Sequence, residues 1–309
     1  MADIALDAQI SPNDSAVVGA SKLFSHLWNA AWEHGDGTIA GDADALHDMR
    51  VNLRRLRTAM SNFEGSKNNP LLSKSLRLEI RGARADIGAM GDKLGAVRDF
   101  DVLEEYVLNY AKKQLKTPVE NSPGLHSLLE ALQEERTHDF KPMVKALKRA
   151  QKEDGLHEEV WRWALGIPAA KSASLSFCDA ARIILPQRLD EVMSHIASLE
   201  PDADPEEQHE LRKSLRRVRY TLETMSVCFE KPVKSYVKTL VGLQDTLGEM
   251  QDRTVLSDVT HRIFKGDLPE DVQQFNRHGE LRRGDLLGST KAAWQKTMGS
   301  GFWDELRAL

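Results

Sequence analysis

The sequence predicts an all-α fold, and the spacing of its apolar residues is the main reason. Apolar side chains recur every three or four residues along most of the chain, which is the period of one face of a helix. One such series is Leu46, Met49, Leu53, Leu56 and Met60. No stretch shows the sustained two-residue alternation of a strand. Clusters of glycine and proline separate segments of roughly 15 to 30 residues, and such lengths suit long antiparallel helices.

Composition narrows the class of protein further. The 309 residues are 41% hydrophobic and 29% charged, which is typical of soluble globular proteins. No apolar run of about 18 residues is present, so a transmembrane helix is excluded, and the first residues lack the features of a secretory signal. Because Cys178 and Cys228 are the only cysteines, we expect no disulfide framework and a reducing, cytoplasmic location.

One motif occurs twice in the chain. Residues 47–57 and residues 209–219 both follow the pattern H-x-x-R-x-x-x-R-R-x-R, 162 residues apart. Asp42 and Asp204 each lie five residues before the histidine of the motif, and aspartate is a preferred residue at a helix N-cap. We therefore predict that each copy lies on an equivalent helix.

A second motif follows each copy of the first. Residues 94–103 and residues 247–256 share the pattern L-G-x-x-x-D, 153 residues apart. The second copy differs by carrying Gln251 where the first has Arg98. Two motifs repeated in the same order indicate a tandem duplication whose connecting loops have diverged.

The first motif places basic side chains in a stripe beside the apolar face of its helix. On a helical wheel the histidine and three arginines of each copy share an arc of about 80° that borders the apolar residues. The stripe consists of His47, Arg50, Arg54 and Arg57 in the first copy, and of His209, Arg212, Lys213, Arg216 and Arg219 in the second. Arg55 and Arg217 point further round the wheel, and we expect them to be solvated.

Positive charge is concentrated around these motifs although the whole chain carries a net charge of −5. Residues 47–98 contain eleven basic and five acidic residues, and residues 209–238 contain eight and three. The helices that follow each motif add Arg81 and Arg84 in the first copy, and Lys234 and Lys238 in the second. Arginine and lysine bind phosphate oxygens through charge-assisted hydrogen bonds. Facing stripes would therefore form a polyanion site.

Structural roles for some of these residues remain open alternatives. An arginine stripe is often a solvated face that makes surface ion pairs. Arg98 can form a buried ion network with Asp99 and Asp101. Asp99 and Asp252 recur at equivalent positions in the two copies, and we expect them to hold neighbouring arginines or helix ends instead of contacting an anion.

The two repeated motifs resemble those of the CHAD family, the conserved histidine α-helical domain. The resemblance includes Trp294, Phe302 and Trp303 near the end of the chain and covers roughly residues 15 to 303. It implies two four-helix bundle-like halves, at about 15–165 and 172–303, related by pseudo-twofold symmetry around a basic pore.

The resemblance also implies a function, which is the binding of inorganic polyphosphate in that pore and association with cytoplasmic polyphosphate granules. Carried over by position, the ligand would contact His47, Arg50, Arg54, Arg57, His209, Arg212, Lys213, Arg216 and Arg219. Arg81, Arg84, Lys234 and Lys238 are further candidates that rest on local charge. Many relatives carry a triphosphate tunnel domain with an E-x-E-x-K signature. This signature is absent here, so no triphosphatase activity is implied.

We expect a binding protein and not an enzyme. The chain has no G-x-x-x-x-G-K-[ST], G-x-S-x-G, H-E-x-x-H or C-x-x-C motif, and we predict no catalytic residue, cofactor or metal site. Two alternatives differ in class. The first is a nucleic-acid-binding protein, which the scarcity of aromatic residues near the stripes disfavours. The second is a metal-binding scaffold, which would require His47 and His209 to meet.

The two chain ends are expected to lie outside the domain. Residues 1–14 are polar and interrupted by Pro12, and we predict that they form a mobile N-terminal tail. Residues 304–309 are predicted to be a short C-terminal tail.

Overall fold

The computed structural model describes residues 4–65, 71–152, 175–200 and 203–309, and every regular element longer than a single bridge in these ranges is helical. The prediction of an all-α fold is confirmed. The α-helices are α1 (Ile4–Asp7), α2 (Ala16–Trp32), α3 (Gly35–Ala40), α4 (Ala43–Glu64), α5 (Lys74–Tyr110), α6 (Pro123–Ala150), α7 (Phe177–Met193), α8 (Pro205–Thr224), α9 (Lys234–Ile263), α10 (Glu270–Gly299) and α11 (Phe302–Arg307). None of them is long and apolar enough to cross a bilayer.

The helices that carry the first motif begin where the sequence predicts. The side chain of Asp42 accepts hydrogen bonds from the backbone N–H groups of Asp44 and Ala45 at the start of α4. The side chain of Asp204 accepts one from Glu206 at the start of α8. Both aspartates therefore satisfy N–H groups that have no partner inside the helix.

The apolar faces of α4 and α8 form the centre of the molecule. On α4 these residues are Leu46, Met49, Leu53, Leu56 and Met60, and on α8 and its C-cap they are Leu211, Leu215, Val218, Leu222 and Met225, each no more than 1% exposed. α4 packs against α2, α5 and α8, and α8 packs also against α7 and α9. Burial of an apolar side chain of this size stabilises the fold by about 1.5–3 kcal/mol, so these two faces fix how the motif helices are oriented.

Both hydrophobic cores contain residues from both copies of the repeat. The larger core joins α2, α4, α7 and α8, and the smaller one lies between the far ends of α5, α6, α9 and α10. In the smaller core, Leu103 and Val107 cluster with Leu256 and Phe275. The pseudo-twofold relation of the halves stays a prediction, and their boundary at about residues 165 to 172 lies outside the described residues.

The chain ends pack onto the body of the protein where they are described. The sequence predicts a mobile tail over residues 1–14, but Ile4, Ala5 and Ile10 are buried in the larger core. α11 extends to Arg307, and Leu306 is fully buried. A four-residue helix such as α1 is too short to show helical periodicity, so its apolar residues give no signal in the sequence.

The structure corrects the expectation that no disulfide holds the chain together. Cys178, in the first turn of α7, is bonded to Cys228, in the turn after α8, with the Cα atoms 4.8 Å apart. The bond links the two residues across a sequence separation of 50. Composition could not show this pairing because the fold, and not the spacing in sequence, brings the two cysteines together.

Candidate functional site

The two motif helices, α4 and α8, pack against each other. Near their C-terminal ends, the Nδ2 atom of Asn62 on α4 donates to the Oγ1 atom of Thr221 on α8 across 3.0 Å. Arg55 and Glu223 pair across the same seam, with 3.3 Å between Nε and Oε2. Further toward the N-termini, the arginines of the two stripes face each other.

Four arginines from the two copies converge in this region, and we call them the arginine cluster. They are Arg50 and Arg54 on α4, and Arg212 and Arg216 on α8. Arg50 interacts electrostatically with Arg54 and Arg212, and Arg216 interacts with Arg50, Arg54 and Arg212. All four side chains belong to half-buried residues. The folding of the chain therefore brings like charges together, which is unfavourable unless a counter-charge is supplied.

Arg54 and Arg216 make no direct ion pair within the described part of the chain. No described carboxylate lies within 4.0 Å of either guanidinium, and the Nε atom of Arg54 is buried without a hydrogen-bond partner. Burial and the neighbouring charge of Arg54 lower the pKa of Arg216 to about 9. Removal of a cation from water without a partner is costly, so this pair provides a local excess of positive charge and of unused donors.

Arg50 is held by the second motif of its own copy. Its guanidinium crosses α5 at Gly95, where a Cβ atom would lie only 3.3 Å from Nη2. One turn further along α5, the Oδ1 atom of Asp99 lies 3.5 Å from the same nitrogen. Gly95 makes room for the arginine and Asp99 pairs with it, which explains why L-G-x-x-x-D follows H-x-x-R in the sequence.

The second copy repeats this arrangement. Arg212 crosses α9 at Gly248, where a Cβ atom would lie 2.7 Å from Nη2. Burial raises the pKa of Asp252, Arg212 opposes that change, and Asp99 adds to it. The pKa of Asp99 is also raised by burial, although 60% of its side chain is exposed. The carboxylate of Asp99 is therefore open to solvent beside Arg50, so an ion can reach this edge of the arginine cluster.

The outer arginines of the two stripes have different environments. Arg57 lies beside Gly88 and makes one long ion pair with Asp92, 3.9 Å from Nη1 to Oδ1. Arg219 stacks on the ring of Tyr220 at 4.7 Å and lies 3.6 Å from Glu223. Arg57 is the more exposed of the two. The two copies therefore match at the arginine cluster and differ beyond it.

The two histidines lie toward the N-terminal ends of the stripes. The pKa of His47 is lowered by burial and then by Arg98 and Arg54. The pKa of His209 is lowered by burial and then by Lys213. Both imidazoles are therefore neutral at pH 7 in the free protein. The described residues contain no group of three or more metal-binding side chains, so nothing in this part of the chain supports the metal-scaffold alternative.

Several predicted anion-binding residues already have carboxylate partners. Arg81 and Arg84 both pair with Glu64, at 2.6 and 2.8 Å. Lys213 pairs with Glu210 at 2.6 Å. These three side chains must leave a carboxylate before they can bind a ligand. Arg54 and Arg216 have no ion pair to break among the described residues.

Lys234 and Lys238 differ from their counterparts in the first copy. Both are exposed on the first turns of α9, and no described carboxylate lies within 4.0 Å of either ammonium group. They add to the positive field on the outside of α9 without contacting the arginine cluster through any described bond.

The expectation that Arg55 and Arg217 are solvated is wrong. Arg55 pairs with Glu223 and lies over the ring of Tyr220 at 5.6 Å, and Arg217 lies 3.5 Å from Glu191. A helical wheel shows which way a side chain points, but it does not show which other helix packs there. Here α8 supplies the carboxylate that pairs with Arg55, and α7 supplies the one near Arg217.

The ion network expected around Arg98 is present in part. Asp101 lies 3.7 Å from Arg98 and also accepts a hydrogen bond from the Nε atom of Arg136 on α6. Asp99 does not join this network and pairs with Arg50 instead. Arg98 is therefore a structural residue of the first copy, consistent with its replacement by Gln251 in the second.

Sequence reasoning missed the role of two kinds of residue in this site. Gly95 and Gly248 were recognised only as part of a repeat, although a glycine repeated inside a long helix is a signal of close approach by another group. For Glu223 the sequence shows only the i,i+4 spacing from Arg219, because the pairing with Arg55 depends on how α4 and α8 pack.

Comparison with known proteins agrees with this description. The family model of the CHAD domain matches residues 22–261. This chain belongs to the CHAD domain family. The CHAD fold is also found in a solved structure, the CHAD domain from the plant Ricinus communis, which is 22% identical with a TM-score of 0.63 and covers 96% of this chain and 92% of its own.

A second solved structure has a related fold. PptA from Streptomyces chartreusis superposes on this CHAD chain with a TM-score of 0.59 and 16% identity, covering 94% of this chain and 100% of its own. Both likenesses concern the fold alone at these identities. No curated protein matches the chain.

Proposed function

We propose that this CHAD domain binds inorganic polyphosphate at the arginine cluster, as a binding protein and not as an enzyme. The observation that carries the proposal is the Arg54–Arg216 pair, which concentrates positive charge and makes no ion pair within the described part of the chain. A chain of phosphates supplies closely spaced anionic oxygens, and arginine presents forked donors that match them. Membership of the CHAD family supports this choice of polyanion.

The ligand would be held by residues of both copies. Gly95 and Asp99 position Arg50, and Arg212 packs against Gly248, so both side chains are already oriented when the ligand arrives. Such pre-organisation reduces the entropy lost on binding. We propose cytoplasmic polyphosphate granules as the place where the protein meets its ligand.

Nucleic acid fits the cluster less well than polyphosphate. The ring of Tyr220, the aromatic residue next to the cluster, is covered by Arg55 and Arg219, so it cannot stack on a base as single-strand binding proteins require. Backbone phosphates could still bind, and for this reason length-matched DNA is the appropriate competitor.

The test compares affinity for long-chain polyphosphate with affinity for length-matched DNA, for the wild type and for Arg54→Ala/Arg216→Ala. Loss of two charge-assisted contacts should weaken polyphosphate binding on the order of a hundredfold. The variant should keep its melting temperature, because it removes two like charges that lack a partner. The matched control is Arg262→Ala/Arg307→Ala, which removes equal charge at ion pairs with Glu135 and Asp190 outside the cluster.

Salt dependence gives a second measure of the same contacts. By analogy with counterion release from nucleic acids, four arginine contacts predict a loss on the order of a hundredfold between about 50 mM and about 300 mM salt. The slope should be smaller in Arg54→Ala/Arg216→Ala. Equal binding of DNA and polyphosphate would indicate general polyanion attraction, and a double variant that binds as tightly as the control would refute the proposed site.

A further inference from the structure

Tyr220 lies on α8 one turn after Arg216 and beside the arginine cluster. Its side chain is 0% exposed, and its hydroxyl is buried with no hydrogen-bond partner among the described residues. A buried hydroxyl without a partner is rare in folded proteins, and each case calls for an explanation.

The surroundings of this hydroxyl consist almost entirely of donors. The charged groups that act on it are Arg54 and Arg55 from α4, and Arg216 and Arg219 from its own helix. Guanidinium groups donate hydrogen bonds and accept none, so none of the four can accept the phenolic proton.

The one carboxylate nearby is already engaged. Glu223 lies less than one turn further along α8 and is also buried. Its Oε2 atom lies 3.3 Å from Arg55, and its Oε1 atom lies 3.6 Å from Arg219. These two arginines lie over the ring of Tyr220, and Glu223 holds them there, whereas Arg54 and Arg216 also act on the hydroxyl and make no ion pair within the described residues.

We propose that Tyr220 is a ligand-binding residue, whose hydroxyl donates a hydrogen bond to a phosphoryl oxygen held between Arg54 and Arg216. A phosphoryl group carries several acceptor oxygens. One of them can take the phenolic proton while others accept from the two guanidinium groups. The inference rests on the proposed polyphosphate site and names one more group in it.

The second copy alone offers a phenolic hydroxyl at this position. The position of the first copy that corresponds to Tyr220, by the 162-residue offset of the motif, is Thr58. Tyr220 would therefore bind one particular phosphoryl group of the ligand. The ligand would then make one more hydrogen bond to α8 than to α4.

The first experiment measures the affinity of Tyr220→Phe for long-chain polyphosphate and for tripolyphosphate by titration calorimetry. This variant removes the hydroxyl and keeps the ring on which the arginines stack. We expect affinity to fall about tenfold, as for the loss of a hydrogen bond to a charged group. Tyr110→Phe is the matched control, because Tyr110 packs against Phe275 in the smaller core.

A spectroscopic measurement distinguishes ligand contact from a role in folding. Burial raises the pKa of Tyr220, but the four arginines outweigh that effect and the net pKa is lowered. The pKa values of Tyr106, Tyr110 and Tyr236 are all raised, by burial first. Tyr220 is therefore the first tyrosine to ionise on alkaline titration, and its near-ultraviolet tyrosinate band reports on it alone.

Saturating tripolyphosphate should move this first ionisation step to higher pH, and the step should be absent from Tyr220→Phe. If Tyr220→Phe binds as tightly as the wild type and as Tyr110→Phe, the role of Tyr220 is refuted while polyphosphate binding stands. A first step that tripolyphosphate does not move also refutes it. If the wild type binds no polyphosphate, the proposed function and this inference both fail.

Discussion

Replacement of Gly248 by alanine should weaken polyphosphate binding without unfolding the protein. The new Cβ atom would lie 2.7 Å from Nη2 of Arg212 and 3.1 Å from its Cζ, whereas ordinary contact begins at 3.4 Å. The guanidinium must therefore move, and it can do so because it is the free end of a flexible side chain. Loss of one charge-assisted contact to phosphate corresponds to about 1.5 kcal/mol, or roughly tenfold in affinity.

The free energy of unfolding of Gly248→Ala should change little. Alanine is favoured over glycine inside a helix by about 1 kcal/mol, and this gain offsets the cost of moving Arg212. The control is Gly242→Ala on the same helix, where no other atom lies within 4 Å of the new Cβ. It should stabilise α9 by about 1 kcal/mol and leave affinity unchanged.

Both variants can be compared by urea denaturation and by calorimetric titration with polyphosphate. If Gly248→Ala binds as tightly as Gly242→Ala, then the position of Arg212 over α9 does not matter for binding. The explanation given for the repeated glycine would then be wrong. A large loss of stability in Gly248→Ala would likewise show that Arg212 cannot move as described.

Three further outcomes are expected. Because the pKa values of His47 and His209 are lowered in the free protein and a bound anion favours their charged forms, binding should take up protons at mildly acidic pH. Affinity should rise as pH falls through the pKa in the complex and level off below the pKa in the free protein. Calorimetry in buffers of different ionisation enthalpy would show no proton uptake if this is wrong. Reduction of the bond between Cys178 and Cys228 should lower the free energy of unfolding by up to about 4 kcal/mol, as the loop between them predicts, and urea curves that coincide with and without reductant would contradict it. Glu64→Gln should strengthen polyphosphate binding, since it releases the two arginines that Glu64 holds, and unchanged affinity would place those arginines outside the site.

Much of the fold could be predicted from the sequence because it depends on local periodicity. The apolar series on α4 and α8 defined buried faces, and Asp42 and Asp204 marked the helix starts. The packing of Ile4 against the core and the bond between Cys178 and Cys228 could not be predicted in this way. Both depend on contacts between residues that are distant in sequence, and a single sequence carries no local signal for such contacts.

The candidate site likewise has features that follow from local sequence and features that depend on packing. The basic stripes were visible in the sequence because they follow the helical period. Which arginines lack a partner was not visible, since the carboxylates come from elsewhere in the fold: Glu191 on α7 reaches Arg217, and Glu223 on α8 reaches Arg55. The sequence shows where charge is located, and packing determines which charges remain available to a ligand.

No carboxylate of the described residues forms an ion pair with Arg54 or Arg216, and this affects the rate of association. An incoming anion meets this pair without first displacing an internal partner, so capture is limited by diffusion and by electrostatic steering. Arg81 and Arg84 are different, because each must leave Glu64 before it can bind. Stopped-flow mixing should therefore resolve a fast, salt-sensitive first step and a slower second step in which ion pairs exchange along the ligand.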